Sequence, residues 1–253
     1  MPLIKQLQQQ QNSLVIACTS QQQQFFEQEI SGVEFVFLFG YNMRYTKVLP
    51  LWMKILMQLP KLFSVVRKEK KWLATYLKNN KADIVISDNR FGFYNENVES
   101  IFITHQLNVQ APFFKKLINR INSSFIEKYN ACWVPDYAEE EKRLSGILST
   151  KKNVKNVIFI GPLSRFEKKE IQQKKYDVLI LLSGPEPQRT LLEEKLISAF
   201  ENTNYKIALV RGCFNERAQK LSSNFQVIDV ASSKQLQELF NESGKIICRS
   251  GYS

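Results

Sequence analysis

The sequence predicts an α/β protein built from parallel sheets with helices on both faces, arranged as two domains in tandem. Three observations carry this expectation. Short apolar runs alternate with longer helical patterns along the whole chain, as successive βαβ units require. Two of the apolar runs open into small Gly/Ser turns, one beginning Ser183-Gly184 and the other Arg249-Ser250-Gly251. Such turns lead into helix N-termini, where free backbone N–H groups and the positive dipole end form an anion site. A polar, Lys-rich stretch over 167–175 separates six strand candidates from four.

Taken in order, residues 14–18 and 34–39 are apolar runs of strand length, with the glutamine-rich 21–29 a helix candidate between them. Residues 50–79 carry a long helical pattern that Pro60 is expected to kink. Strands follow at 83–87 and 100–104, a helix at 113–128, and strands at 131–134 and 157–160. The domain boundary falls around Gly161-Pro162-Leu163-Ser164-Arg165-Phe166, dividing 1–162 from 163–253. Beyond it, strand 176–182 leads into helix 190–202, strands 205–210 and 225–230, helix 233–242 and strand 245–248. In open parallel sheets, ligands bind at the carboxyl ends of the strands. Those ends here are rich in polar and small residues: Asp88-Asn89-Arg90, His105-Gln106, Pro135-Asp136, Ser183-Gly184, Arg211-Gly212 and Arg249-Ser250-Gly251.

Composition sets the partner class. The 253 residues are 44% hydrophobic and 12% aromatic, enough to fill real cores and to exclude global disorder. A net charge of +11, from 35 Lys+Arg against 24 Asp+Glu, favours a phosphorylated substrate, an anionic membrane or nucleic acid. No helix-turn-helix, RNP1 or zinc-finger signature supports nucleic acid, so it is not expected as a partner. The four cysteines are widely spaced, with no CxxC or Cys/His pairing; this indicates neither zinc nor a disulfide framework and fits a reducing, cytoplasmic setting. No apolar run reaches the roughly 18 to 20 residues that span a bilayer.

The chemistry-bearing residues are few. His105 is the single histidine, placed after a strand, where it can orient or deprotonate a hydroxyl; a hydrogen-bonded loop histidine is the other reading. Asp88, Asn89 and Arg90 form a compact polar set that also has turn chemistry. GxSxG, HExxH, GxxxxGK[ST] and GxGxxG are all absent, as is Asp-x-Asp. A diphosphate would therefore be held by backbone N–H groups, helix dipoles and arginines, with Arg165, Arg189 and Arg249 as candidates. Along 52–72, Trp, Leu, Met and Phe interleave with Lys and Arg, which suits either an anionic membrane surface or a core-packed helix with a basic face.

Five strings carry a family resemblance: Ser87-Asp88-Asn89-Arg90-Phe91-Gly92, Thr104-His105-Gln106-Leu107-Asn108, Gly161-Pro162-Leu163-Ser164-Arg165, Ser183-Gly184-Pro185-Glu186-Pro187-Gln188-Arg189-Thr190 and Arg249-Ser250-Gly251-Tyr252-Ser253. They resemble a bacterial group of glycosyltransferase-family-28-like proteins, similar to the peptidoglycan-precursor N-acetylglucosaminyltransferases. The resemblance implies a GT-B architecture of two Rossmann-like domains, the first binding the acceptor and the second a nucleotide sugar, with no catalytic metal. It places Ser183, Gly184, Gln188, Arg189, Arg249, Ser250, Gly251 and Ser253 around the donor diphosphate and directs Arg165 toward the nucleotide. It sets His105, Gln106 and Asn108 on the acceptor side, where Asp88, Asn89 and Arg90 also lie. The catalytic base is left unassigned.

Relative to that group, the chain lacks a first strand with a Gly-rich loop and a later helix with an acidic residue, so both domains are expected to be incomplete and these residues alone inactive. The activity implied is transfer of a sugar from a nucleotide donor, a UDP-sugar, to a hydroxyl of an envelope or lipid-linked glycan. A non-catalytic sugar-nucleotide or glycan-binding protein of GT-B descent is the alternative. The expected location is cytoplasmic, with peripheral contact at the inner face of the membrane.

Overall fold

The computed structural model describes residues 1–40, 51–111, 113–150, 154–166, 174–184, 186–213 and 221–249, with backbone only for 51–59. The chain folds as two compact units, Leu3–Leu163 and a second formed by Met1–Pro2 with Ser164–Ser253. Each of the ten strand candidates is a strand, and every strand pairing is parallel.

The first unit runs α1 (Pro2–Gln9), β1 (Val15–Cys18), α2 (Ser20–Glu27), β2 (Glu34–Phe37), α3 (Leu51–Asn79), β3 (Ile84–Asp88), β4 (Glu99–Ile103), α4 (Lys115–Ile126), β5 (Ala131–Val134) and β6 (Val157–Phe159). The glutamine-rich stretch is a true helix because Thr19 and Gln22 close a capping box over its first turn. Helix α3 is continuous through Pro60. Among the described residues, the six strands form two sheets: β1 pairs with β2, while β3-β4-β5-β6 form a four-stranded sheet in sequential order. In that order each connection steps one strand along the sheet. Its core is aromatic, with Phe102, Tyr94, Tyr129 and Ile126 buried together and Phe91 stacked on Phe102 at 5.3 Å.

The second unit runs β7 (Tyr176–Leu181), α5 (Gln188–Phe200), β8 (Ile207–Val210), β9 (Phe225–Ile228), α6 (Ser233–Glu242) and β10 (Ser243–Cys248), in sheet order β10-β7-β8-β9. Its central strands are buried on both faces, so they read as continuous apolar runs instead of alternating ones. Val178, Ile180, Ile207 and Leu209 pack with Ile197 of α5, whereas Leu179, Ala208 and Val210 pack with Leu236 and Leu239 of α6. The period of two along each strand thus places one helix on each face. Among the described residues, no helix is long and apolar enough to cross a membrane.

Candidate functional site

In the second unit, three elements converge at the carboxyl edge of the sheet. Strand β7 ends at Leu181 and leads into Leu182, Ser183 and Gly184, and α5 begins at Gln188. Strand β10 lies parallel beside β7 with Cys248 opposite Leu181, which brings Arg249 level with the turn. Gly184 has φ +104° and lies directly beneath the Arg249 guanidinium, whose Nη1 occupies the space a Cβ would need. Glycine is therefore required here on two counts, backbone conformation and close approach. Arg249 Nη2 donates to Gln188 Oε1 at 3.1 Å. Among the described residues, no carboxylate lies within ion-pair distance of Arg249, so its charge faces the exposed Ser183, Gly184 and Gln188 unneutralised. Ser250, Gly251 and Ser253 lie outside the described residues.

Arg189 has a different place. It is buried beneath this lip, with Nε donating to Glu186 Oε1 at 2.6 Å and Nη1 to Glu193 Oε2 at 2.7 Å. Glu193 Oε1 lies 2.7 Å from Nε of Arg211, itself buried at the end of β8 and 3.4 Å from Asp229 after β9. Arg189, Glu193 and Arg211 therefore form a buried chain of charges with Asp229 at its exposed end, joining the start of α5 to the ends of β8 and β9. Sequence reasoning placed Arg211 at a strand's carboxyl end without giving it a role and missed Glu193 and Asp229; the Glu at i+4 from Arg189 was the available signal. Arg165 is exposed and stacks on Phe166 at 4.9 Å, and Phe166 packs edge-on against Phe240, on the α6 face.

In the first unit, Asp88, His105 and Asp136 stand at the carboxyl ends of the adjacent strands β3, β4 and β5. Burial pushes the His105 imidazole below its ordinary value, against the opposing pull of the Asp88 and Asp136 charges. Lost hydration lifts the Asp88 carboxyl above its usual range although the residue keeps solvent on part of its surface; nearby His105 works the other way. Asn89 is in the left-handed region at φ 54°, which its short polar side chain tolerates, and bonds Asp88 Oδ1 at 3.4 Å.

Arg90 turns inward: Nε donates to the fully buried Glu69 at 2.7 Å and Nη2 to the Phe39 carbonyl at 2.5 Å. It ties α3 and the end of β2 to the loop after β3. Gln106 is exposed, while Asn108 is buried with its amide on the Ile147 carbonyl at 3.1 Å. The loop from Gln106 to Val109 is stitched to α4 by Asn122 and Asn119.

Asp136 is the hub that sequence reading undervalued. Fully buried, it accepts from Tyr137 N and Leu144 N at 2.8 Å, Ser145 N at 3.1 Å, Ser149 Oγ at 2.9 Å and Ser145 Oγ. Burial alone would raise its pKa, but these donors together hold it at about 2.

On α3, Pro60, Phe63, Ser64, Arg67, Lys68 and Lys71 line one open groove, and Phe63 packs on Phe125 of α4 at 5.6 Å. Among the described residues, no group of three or more His, Cys, Asp or Glu side chains is placed to hold a metal ion.

No known family model and no curated protein sequence matches the chain. Solved structures do. The calicheamicin glycosyltransferase CalG4 superposes with a TM-score of 0.60 at 13% identity, covering 92% of this chain and 67% of that one. UGT89C1 of Arabidopsis thaliana, solved with quercetin, gives 0.61 at 12% identity over 98% of this chain and 69% of its own. A UDP-N-acetylglucosamine 2-epimerase gives 0.51 at 14% identity over 99% and 70%. At such identities the likeness defines the fold alone. The chain is an α/β protein with parallel sheets and the GT-B fold of these glycosyltransferases.

Proposed function

We propose that this chain is the catalytic body of a metal-independent glycosyltransferase that moves a sugar from a UDP-linked donor to an acceptor hydroxyl on an envelope or lipid-linked glycan. The observation that carries the reading is Arg249 lying over Gly184 at the start of α5, an unneutralised cation beside backbone N–H groups at the carboxyl edge of a parallel sheet. That combination matches a diphosphate, which takes charge-assisted bonds from arginine and from helix N-termini. Ser183, Gly184, Gln188 and Arg249 would contact the diphosphate, with Ser250, Gly251 and Ser253 continuing the same turn and Arg165 near the nucleotide. Arg189 lies behind these groups, engaged by Glu186 and Glu193.

On the acceptor side, His105 with its lowered pKa is neutral at physiological pH and able to take a proton. In the reaction it removes the acceptor hydroxyl proton as that oxygen attacks the anomeric carbon. The bond to the diphosphate breaks, and Arg249 with the α5 N–H groups receives the departing negative charge. Asp88 stabilises the imidazolium formed. The family-28 assignment rests on the sequence strings, and the basic groove of α3 supports a peripheral place on the inner face of an anionic membrane, where a lipid-linked acceptor would be met.

The test is UDP release from UDP-sugars, in the presence of glycan acceptors, by a full-length version of the protein, residues 1–253 alone being expected to release little or none. Release that disappears in His105→Gln while UDP affinity is retained supports transfer. Tight UDP binding with no release under any acceptor would favour the non-catalytic binding reading.

A further inference from the structure

We propose that Glu186 is an internal competitor for the donor diphosphate: its carboxylate occupies the cationic lip of α5 and must be displaced into solvent when the diphosphate binds, so this residue sets donor affinity. The inference rests on the donor-site reading above and adds the gate to it.

The geometry is asymmetric. Arg189 is held by two carboxylates of opposite character. Glu193 is buried, with a side chain only 6% exposed, and is shared with Arg211; Glu186 is 56% exposed. A buried charge pair is strongly destabilising to break, whereas an exposed one is worth little and exchanges readily. Two buried guanidiniums, Arg189 and Arg211, thus share a single buried carboxylate, and the remaining positive charge is met at the solvent edge by Glu186 and Asp229.

The groups that Glu186 engages are those a phosphate oxygen would use. Oε1 takes Arg189, while Oε2 accepts from the Thr190 hydroxyl at 2.7 Å and from the Thr190 N–H at 3.4 Å, in the first turn of α5. A phosphate oxygen offers the same charge to the same donors. Both cannot occupy them together, because like charges in contact repel. Rotation of Glu186 into water releases Arg189 and Thr190 to the ligand without disturbing Glu193.

The experiment is calorimetric titration of UDP, and separately of inorganic pyrophosphate, into the full chain and two variants. Glu186→Gln removes the competing charge with little change of shape. Glu194→Gln removes the same charge from the next position after Glu193, on the exposed side of α5. Glu186→Gln is expected to tighten both ligands about five- to tenfold, the scale of one like-charge contact in a solvated setting; Glu194→Gln is expected to change neither. Glu186→Ala should follow Glu186→Gln and stands in for it if the amide misfolds. Unchanged or weaker binding in the Glu186 variants overturns the gate, as does equal tightening in Glu194→Gln. Tightened pyrophosphate with no UDP binding supports the gate while removing the nucleotide reading. Binding of neither ligand by any variant overturns both.

Discussion

At the scale of single residues, buried carboxylates organise both candidate sites. Asp136 holds the loop 137–149 by its acceptor set, and its pKa of about 2 fixes the sign of its pH effect. The folded value lies below the ordinary 3.8, so its contribution is fully present above about pH 4 and is lost as pH falls toward 2. Asp136→Ala is expected to cost on the order of 2 kcal/mol at pH 7 and to flatten that acid limb, as urea unfolding followed across pH would show. Glu69 acts the same way at the Asp88 loop, bonding Arg90 and the Gly92 N–H at 3.0 Å. Gly92 itself has no room for a Cβ, which would meet the Val66 carbonyl and Glu69. Glu69→Ala strands a largely buried guanidinium, and a loss of roughly 3 to 5 kcal/mol in unfolding free energy is expected. Gly184→Ala should lower the melting temperature, because φ +104° strains any residue with a Cβ, and should weaken UDP binding, because the methyl group displaces Arg249.

At the scale of elements, the strands were legible because burial on both faces writes them as apolar runs, as in 176–182 and 205–210, bounded by turn residues. What pattern could not show was partnership. The separate pairing of β1 with β2 depends on long-range contacts that leave no local trace. The two arginines proposed for the donor side show the same divide: Arg189 and Arg249 look alike in sequence, yet one is buried between two glutamates and the other faces the lip. Register decides it, since Arg249 is carried to Gly184 by the pairing of Cys248 with Leu181. Among acceptor-side residues, His105 and Gln106 keep exposed surface, while Arg90 and Asn108 are committed to internal partners. Helix α3 makes its own prediction. The groove residues Arg67 and Lys68 should attract anionic vesicles, and Arg67→Glu with Lys68→Glu should abolish co-sedimentation that falls with salt in the parent chain. Salt-independent sedimentation, unaffected by the reversal, would return the groove to an ordinary solvated face.

At the scale of the whole molecule, the carboxyl edge of one sheet carries Arg249 over the Gly184 turn and that of another sheet carries His105 near Asp88 and Asp136, within a fold used by glycosyltransferases and by a sugar-nucleotide epimerase. The central claim is that the β7–α5 turn and Arg249 bind the donor diphosphate. Calorimetric titration of UDP into the full chain and into Arg249→Ala tests it most directly. Saturable binding in the parent, weakened roughly ten- to hundredfold in the variant, is expected from the loss of one charge-assisted contact worth about 1.5 to 3 kcal/mol. No UDP binding by the parent, or equal affinity in the two proteins, would contradict it.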